Sequence, residues 1–83
     1  MTKYMLIQTS LLGRKDDVYE RFMRCGRMLP DGLIYIYSWL EKDGARCFQL
    51  MATDDYRLFK EWIAHWSDTT HFEIVEIGRK PIK

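Results

Sequence analysis

The residues most able to act chemically on a ligand are the two histidines, His65 and His71. An imidazole titrates near neutral pH, so it can act as a general base or bind a ligand by hydrogen bonds. Both residues also have a structural interpretation. His65 can complement the dipole at the end of a helix, and His71 can be a solvated residue at the start of a strand. Of the two, His71 is the candidate catalytic residue.

A second reactive pair is Arg46 and Cys47, which are adjacent in the sequence. An arginine can hold an anionic group, and a thiol beside cations can become a nucleophile. The structural alternatives are an ion pair between Arg46 and Glu41 across a hairpin, and a Cys47 side chain that only fills the core.

Two polar residues, Ser38 and Gln49, interrupt stretches that are otherwise apolar. Buried polar groups need hydrogen-bond partners, so these two either line a pocket or satisfy each other. Together with the residues above and the aromatic neighbour of His65, they form the predicted ligand-binding set: Ser38, Arg46, Cys47, Gln49, His65 and Trp66.

Composition argues against several partners. Lys and Arg number 13 and Asp and Glu number 12, whereas nucleic-acid-binding domains usually carry a basic surplus. The chain has neither paired cysteines nor clustered histidines for a metal, and no glycine-rich phosphate loop. We therefore expect no nucleic acid, no metal and no cofactor.

The apolar stretch near the N-terminus ends at Gln8, which is too short for a signal peptide. No segment approaches the roughly 20 apolar residues of a membrane span. We expect a cytoplasmic protein without a membrane partner, in which Cys25 and Cys47 are reduced. The predicted topology places these two cysteines roughly 15 Å apart by strand rise, too far for a disulfide.

Hydrophobic periodicity and turn residues divide the chain into six elements. Asp43-Gly44 is typical of a tight hairpin turn in which both central residues need positive φ. Thr53, Asp54 and Asp55 are interpreted as the cap of the second helix. The predicted elements are a strand 4–10, a helix 16–28, strands 33–41 and 46–52, a helix from the cap to about Trp66, and a strand 71–77.

This order predicts one α+β domain over residues 1–83 with a ferredoxin-like βαββαβ plan. The compact arrangement is an antiparallel sheet of strand order 4-1-3-2 with both helices on one face. Counting from Asp43-Gly44 pairs Trp39 with Phe48, Tyr37 with Leu50 and Tyr35 with Ala52 on one side of the sheet. On the other side it pairs Leu40 with Cys47, Ser38 with Gln49 and Ile36 with Met51.

The same topology brings the candidate residues to one end of the sheet, where the first strand ends and the third begins. We call this the upper end. Arg46, Cys47, His65, Trp66 and His71 are all expected there, beside an apolar cleft between sheet and helices. Convergent polar groups at such a cleft are typical of a ligand site.

Both faces of the predicted sheet are apolar, although helices can cover only one of them. A sheet covered on one side normally has polar residues on the other, and soluble monomers rarely expose a large apolar patch. We therefore predict a homodimer formed through the uncovered sheet face. The alternative is a monomer with a few half-exposed aromatic side chains.

The chain resembles the dimeric α+β barrel superfamily, in which two ferredoxin-like subunits pack sheet to sheet. Three runs resemble, more narrowly, a family of short bacterial proteins of uncharacterised function: residues 26–32 (GRMLPDG), Ser38-Trp39, and residues 46–51 (RCFQLM) with Asp54-Asp55 after them. The resemblance implies the fold and the dimer, and it carries over no catalytic residue. Heme-degrading members of the superfamily use Asn, Trp and His together, and this chain contains no Asn.

Three functions are compatible with these features. The first is binding of a small organic ligand in the cleft between sheet and helices. The second is a cofactor-independent enzyme of acid–base or oxygenase/isomerase type that uses His71, with Arg46 holding an anionic group. The third is a non-catalytic interaction or regulatory module. A cavity of about 300 Å³ or more near Ser38 and Gln49, with His71 or Arg46 at its mouth, would favour binding, and a fully packed interior would favour the interaction module.

Overall fold

A computed structural model describes residues 1–82 of the chain. Its six elements follow the predicted order: β1 (Thr2–Ser10), α1 (Lys15–Cys25), β2 (Ile34–Leu40), β3 (Arg46–Thr53), α2 (Arg57–Ile63) and β4 (Thr70–Ile77). The strands form one antiparallel sheet in the order β2-β3-β1-β4. This is the predicted order 4-1-3-2 counted from the other edge, so the α+β class and sheet topology are confirmed.

The β2–β3 hairpin keeps the predicted register close to its turn, where Trp39 lies opposite Phe48 and Ser38 opposite Gln49. The predicted turn type is wrong. Gly44 has φ of 78°, but Asp43 does not have positive φ. The Glu41 N–H donates to the Arg46 carbonyl at 2.8 Å, which closes a four-residue loop. The longer loop is symmetric about the same two residues, so the register is unchanged.

Farther from the turn, a β-bulge between Tyr35 and Tyr37 shifts the register. Ile36 is the extra residue of the bulge, so its predicted pairing with Met51 is wrong. Tyr35 takes that place opposite Met51, and its predicted pairing with Ala52 is also wrong. The bulge therefore turns Tyr35 toward the helices, beside Ser38.

The helices are shorter than predicted. Helix α1 ends at Cys25 because Gly26, with φ of 67°, turns the chain and donates its N–H to the Phe22 carbonyl at 2.8 Å. Of the predicted cap, Thr53 is the last residue of β3 and does not cap α2, whereas the Asp55 carboxylate accepts the N–H of Arg57, the first residue of α2, at 3.0 Å. Beyond Ile63 the chain continues as tighter turns to Thr69 rather than as α-helix.

The core lies between the sheet and the helices, and α2 supplies most of its helical part. Phe59 and Trp62 of α2 are buried, as is Trp66 in the turns after it. They pack against Leu6 and Met51 on the central strands. Helix α1 lies over the same face of the sheet, yet none of its residues is buried. Packing is therefore incomplete beneath α1.

The other face of the sheet, which we call the open face, is free of helices. Alternation along the strands places nine apolar side chains there. Five of them are at least 39% exposed to solvent, including Tyr37 at 58% and Trp39 at 48%. The nine are Met5, Ile7, Ile34, Tyr37, Trp39, Phe48, Leu50, Val75 and Ile77.

Candidate functional site

A cavity of about 190 Å³ lies between α1 and the upper end of the sheet. We call it the α1 cavity. The strands supply its floor through Gln8, Ser38, Cys47 and Gln49, and the inner side of α1 supplies its roof. In the sequence, Val18, Phe22, Cys25 and Leu29 are spaced four, three and four residues apart, which predicts one apolar face of the helix. In the structure, Val18 and Phe22 of that face line the cavity.

Gln49 is the most constrained polar group on the cavity floor. The residue is only 6% exposed, and its Nε2 donates a hydrogen bond to Oε1 of Gln8. Its own Oε1 is buried without a hydrogen-bond partner among residues 1–82. A buried polar atom left unpaired costs about 1–3 kcal/mol. Gln49, a residue of the cavity lining, therefore carries a buried acceptor without a donor.

Ser38 lies opposite Gln49 in the sheet but does not satisfy it. The Ser38 hydroxyl is instead hydrogen-bonded to the Tyr35 hydroxyl at 2.5 Å. This contact exists because the bulge at Ile36 turns Tyr35 to the helix side of the sheet. The expected alternative, in which Ser38 and Gln49 satisfy each other, is therefore wrong.

Arg27 brings an unneutralised positive charge to the α1 cavity. Its guanidinium carbon lies 3.7 Å from the centre of the Tyr35 ring and 5.1 Å from the centre of the Phe22 ring. Five other arginines, Arg14, Arg21, Arg24, Arg46 and Arg57, pair with carboxylates. Within residues 1–82, Arg27 forms no such ion pair. Cation–π contacts hold its side chain instead.

The backbone at Arg27 is held by hydrogen bonds from α2 and from the turns that follow it. The indole N–H groups of Trp62 and Trp66 both donate to the Arg27 carbonyl, at 2.8 and 3.2 Å. Met28 has φ of 60°, the one positive value at a non-glycine residue in the described part of the chain. Such a conformation costs roughly 1–3 kcal/mol and is held only where the surroundings impose it. Arg27 is therefore a positioned residue.

Arg46 borders the cavity, but its guanidinium is on the open face, 5.2 Å from the centre of the Phe48 ring, and its charge is already neutralised. Its guanidinium donates to both carboxylate oxygens of Glu41, at 3.0 and 2.8 Å. These hydrogen bonds raise the pKa of Arg46 and lower the pKa of Glu41. The structural alternative for Arg46, an ion pair across the hairpin, is the arrangement found. Arg27 is the better-placed group for an anion.

Cys47 lies on the cavity floor and is half-buried. Burial raises the pKa of its thiol, and the positive charge of Arg27 offsets this only in part. The thiolate is the nucleophilic form, so this environment does not activate Cys47.

The structure does not bring the histidines to the α1 cavity. His71 pairs with Thr9 in the sheet, and its exposed side chain is on the open face. His65 is exposed beside Trp66, and its backbone carbonyl accepts a hydrogen bond from Arg21 at 2.8 Å. Trp66, Arg46, Cys47, Ser38 and Gln49 of the predicted set do line the cavity.

Gln8 and Arg27 line the cavity but were missing from the predicted set. From the sequence, Arg21, Arg24 and Arg27 are expected to form a solvated helix face with Asp17 and Glu20, but α1 ends at Cys25 and leaves Arg27 outside that face. The signal available in the sequence was Gly26, whose freedom to adopt positive φ ends helices. Gln8 stands at the end of an apolar strand, where the same reasoning that selected Ser38 and Gln49 would have selected it.

Residues 1–82 contain no group of three or more His, Cys, Asp or Glu side chains arranged to hold a metal ion. No helix among them has the length and apolarity to cross a membrane.

Comparison with known proteins gave one match. The family described as a domain of unknown function (DUF3303) matches residues 2–77. Neither the curated proteins nor the solved structures contain a significant match.

Proposed function

The chain belongs to this family of unknown function, and because membership assigns no activity, we propose from the geometry that the protein binds a small organic molecule in the α1 cavity. The observation that carries the proposal is the buried, unpaired Oε1 of Gln49, a residue that belongs to the cavity lining. A ligand with a hydroxyl or N–H donor would remove the cost of that buried acceptor. The missing packing beneath α1 leaves room for it.

The size of the cavity limits the ligand. Ligand pockets for drug-sized molecules are about 300–1,000 Å³, and the α1 cavity is about 190 Å³. An engineered cavity of roughly 150 Å³ in another protein holds benzene. The α1 cavity therefore fits one ring with a small substituent.

Binding is favoured over acid–base catalysis because the cavity lining contains no histidine and no carboxylate. The enzyme hypothesis depended on His71, which lies on the opposite side of the sheet. The remaining titratable candidate, Cys47, has a raised pKa.

The test uses phenol and toluene, two compounds of one ring that differ by a hydrogen-bond donor, in an NMR titration of ¹⁵N-labelled protein. The three tryptophans provide an internal control. The indole N–H groups of Trp62 and Trp66 lie at the cavity, and Trp39 is on the open face. We expect phenol to shift the first two signals and leave the third unchanged. Phenol should bind about 5–10-fold more tightly than toluene, the value of one hydrogen bond.

The variant Gln49→Leu keeps the approximate side-chain volume and removes the acceptor. We expect it to abolish the preference for phenol while toluene still binds. Absence of any indole shift with either compound at about 10 mM would overturn the binding function. Equal affinity of the wild-type protein for both compounds would overturn the role of Gln49.

We further propose that the protein is a homodimer in which two open faces pack together to form an α+β barrel. The occupant of the open face is a second copy because all four strands contribute apolar side chains to this face, with Lys3, Arg46, His71 and Glu73 beside them, and a two-fold axis would bury the same apolar patch of each copy against the other. From strand spacing and rise, the face extends over roughly 300–400 Å² of sheet, and an apolar patch of this size on a protein surface is often an interaction site.

The cytoplasm is the proposed location. Cys25 and Cys47 are both free thiols, which is the form that a reducing compartment maintains.

A further inference from the structure

All the charged side chains that line the α1 cavity are positively charged. Lys15, Arg27 and Arg46 line it, and no Asp or Glu does. Arg46 is neutralised by Glu41, which leaves two cations without a carboxylate partner among residues 1–82. An unpaired cation beside a low-dielectric cavity attracts an anion more strongly than it would in bulk water.

Arg27 is the cation prepared for a planar anion. Its guanidinium is stacked on Tyr35, half-buried, and held at its backbone by two indole groups. A guanidinium restrained in this way presents N–H donors in a fixed plane, which matches the two oxygens of a carboxylate. Lys15 lies at the mouth, where its Nζ is 2.9 Å from the position that a Cβ on Gly44 would occupy.

The rest of the cavity lining is suited to the aromatic ring of a ligand. Five aromatic side chains line the cavity: Tyr19, Phe22, Trp62, Trp66 and Phe72. Aromatic rings pack against one another in tilted or offset arrangements that add about 0.5–1.5 kcal/mol to simple burial. An inorganic anion would leave these surfaces without contacts.

Resting on the binding function proposed above, we infer that the natural ligand is a small one-ring carboxylate whose carboxylate pairs with Arg27 and whose ring fills the α1 cavity. A hydroxyl or amino substituent on the ring would donate to Oε1 of Gln49. The cation and the unpaired acceptor thus recognise different parts of one molecule.

The test compares benzoate with benzamide, which has the same shape without the negative charge. Dissociation constants come from the Trp62 and Trp66 indole signals in NMR titrations. We expect benzoate to bind at least tenfold more tightly than benzamide. Arg27→Gln should remove that advantage and change benzamide binding less than about threefold.

Arg27→Gln should remain folded because the backbone carbonyl that accepts from Trp62 and Trp66 is unchanged. Arg24→Gln is the matched control: it removes the same charge from an exposed arginine of α1 that pairs with Glu20. Arg24→Gln should bind benzoate as the wild-type protein does. Arg27→Lys, which keeps the charge without the stacked plane, should retain part of the advantage.

The outcomes separate this inference from the binding function. Benzamide binding as tightly as benzoate would overturn the carboxylate and leave the binding function standing. A benzoate preference that survives Arg27→Gln would overturn the assignment to Arg27. Failure of both compounds, and of phenol and toluene, to shift any indole signal would overturn the binding function as well.

Discussion

Cys47 and Cys25 contrast two environments for a thiol in one small protein. Cys47 is half-buried on the cavity floor, where burial raises its pKa. Cys25 is exposed at the end of α1. Reactivity toward disulfide reagents depends on both access and the thiolate fraction. Lower access and a smaller thiolate fraction both slow the reaction of Cys47.

We therefore predict that Ellman's reagent modifies Cys25 at least about tenfold faster than Cys47 near pH 8. The single-cysteine variants Cys47→Ser and Cys25→Ser give the two rates separately. Labelling the same variants in urea is the control, because the two thiols should then react at similar rates. Equal rates in the folded protein would contradict the raised pKa and the burial of Cys47.

At the scale of single residues, the sequence identified side-chain chemistry better than side-chain position. Ser38, Gln49 and Cys47 were selected because a polar or reactive residue stands out within an apolar strand, and all three line the α1 cavity. Arg27 was missed because its position depends on Gly26 and on indole groups 35 and 39 residues away. No local pattern encodes contacts at that separation.

At the scale of elements, α1 is tied to the rest of the protein by its arginines. Arg21 donates to both carboxylate oxygens of Asp68, at 2.7 and 2.8 Å, and to the His65 carbonyl. Asp68 belongs to the turn between α2 and β4. Because α1 buries no residue, this bridge is a main connection between α1 and the α2 side of the core.

The hydrogen bonds from Arg21 lower the pKa of Asp68 from 3.8 to about 2. A carboxylate with a lowered folded-state pKa stabilises the protein above its unfolded-state pKa, and this stabilisation is lost as pH falls through the folded-state value. We therefore predict that Asp68→Asn lowers the urea midpoint of unfolding near neutral pH. The difference from the wild-type protein should shrink as pH falls from about 4 to about 2.

Glu61→Gln is the control for this pH profile, since Glu61 is an exposed acid of α2 that forms no ion pair within residues 1–82. Its urea midpoint should follow that of the wild-type protein at every pH. A difference between Asp68→Asn and wild type that is constant across the acid range would show that the carboxylate charge does not contribute.

Element order and strand register were predictable because they depend on local periodicity and on the position of a turn. The first and last residues of each element were harder to predict. The bulge at Ile36 breaks the alternation that fixed the pairing of Tyr35, and β-bulges have no composition signal at a non-glycine residue. Thr53 has the residue type of a helix cap, but pairing with Thr2 keeps it in β3.

At the scale of the whole molecule, the protein is a thin two-layer structure with Cα extents of 41 × 30 × 17 Å. One surface of the sheet is covered by the helices and the other is the open face. The apolar character of both faces was evident from the sequence. Which of them the helices cover was not, because residues on both sides could have packed against a helix. Because the helices cover the other face, the aromatic pair Tyr37 and Trp39 is left uncovered. Their rings pack edge to face with centroids 5.0 Å apart.

A homodimer through the open face predicts a mass of about 20 kDa, twice the 10.0 kDa of the chain. Sedimentation equilibrium between about 10 µM and 1 mM measures this directly. Leu50→Lys places a charge on a central strand of the open face, where neighbouring strands supply Met5 and Tyr37. Burying an unpaired ammonium at an interface is strongly unfavourable, so we expect this variant to sediment as a monomer.

Met23→Lys is the matched control, because it makes the same kind of change at an exposed residue of α1 on the other side of the molecule. It should remain a dimer. Trp39→Lys, at a half-exposed edge position, repeats the test if Leu50→Lys does not fold. A wild-type protein that sediments at 10.0 kDa throughout this range would contradict the dimer, and the open face would then be a solvated surface. The α1 cavity lies on the opposite side of the sheet, so its binding properties would be unaffected by that result.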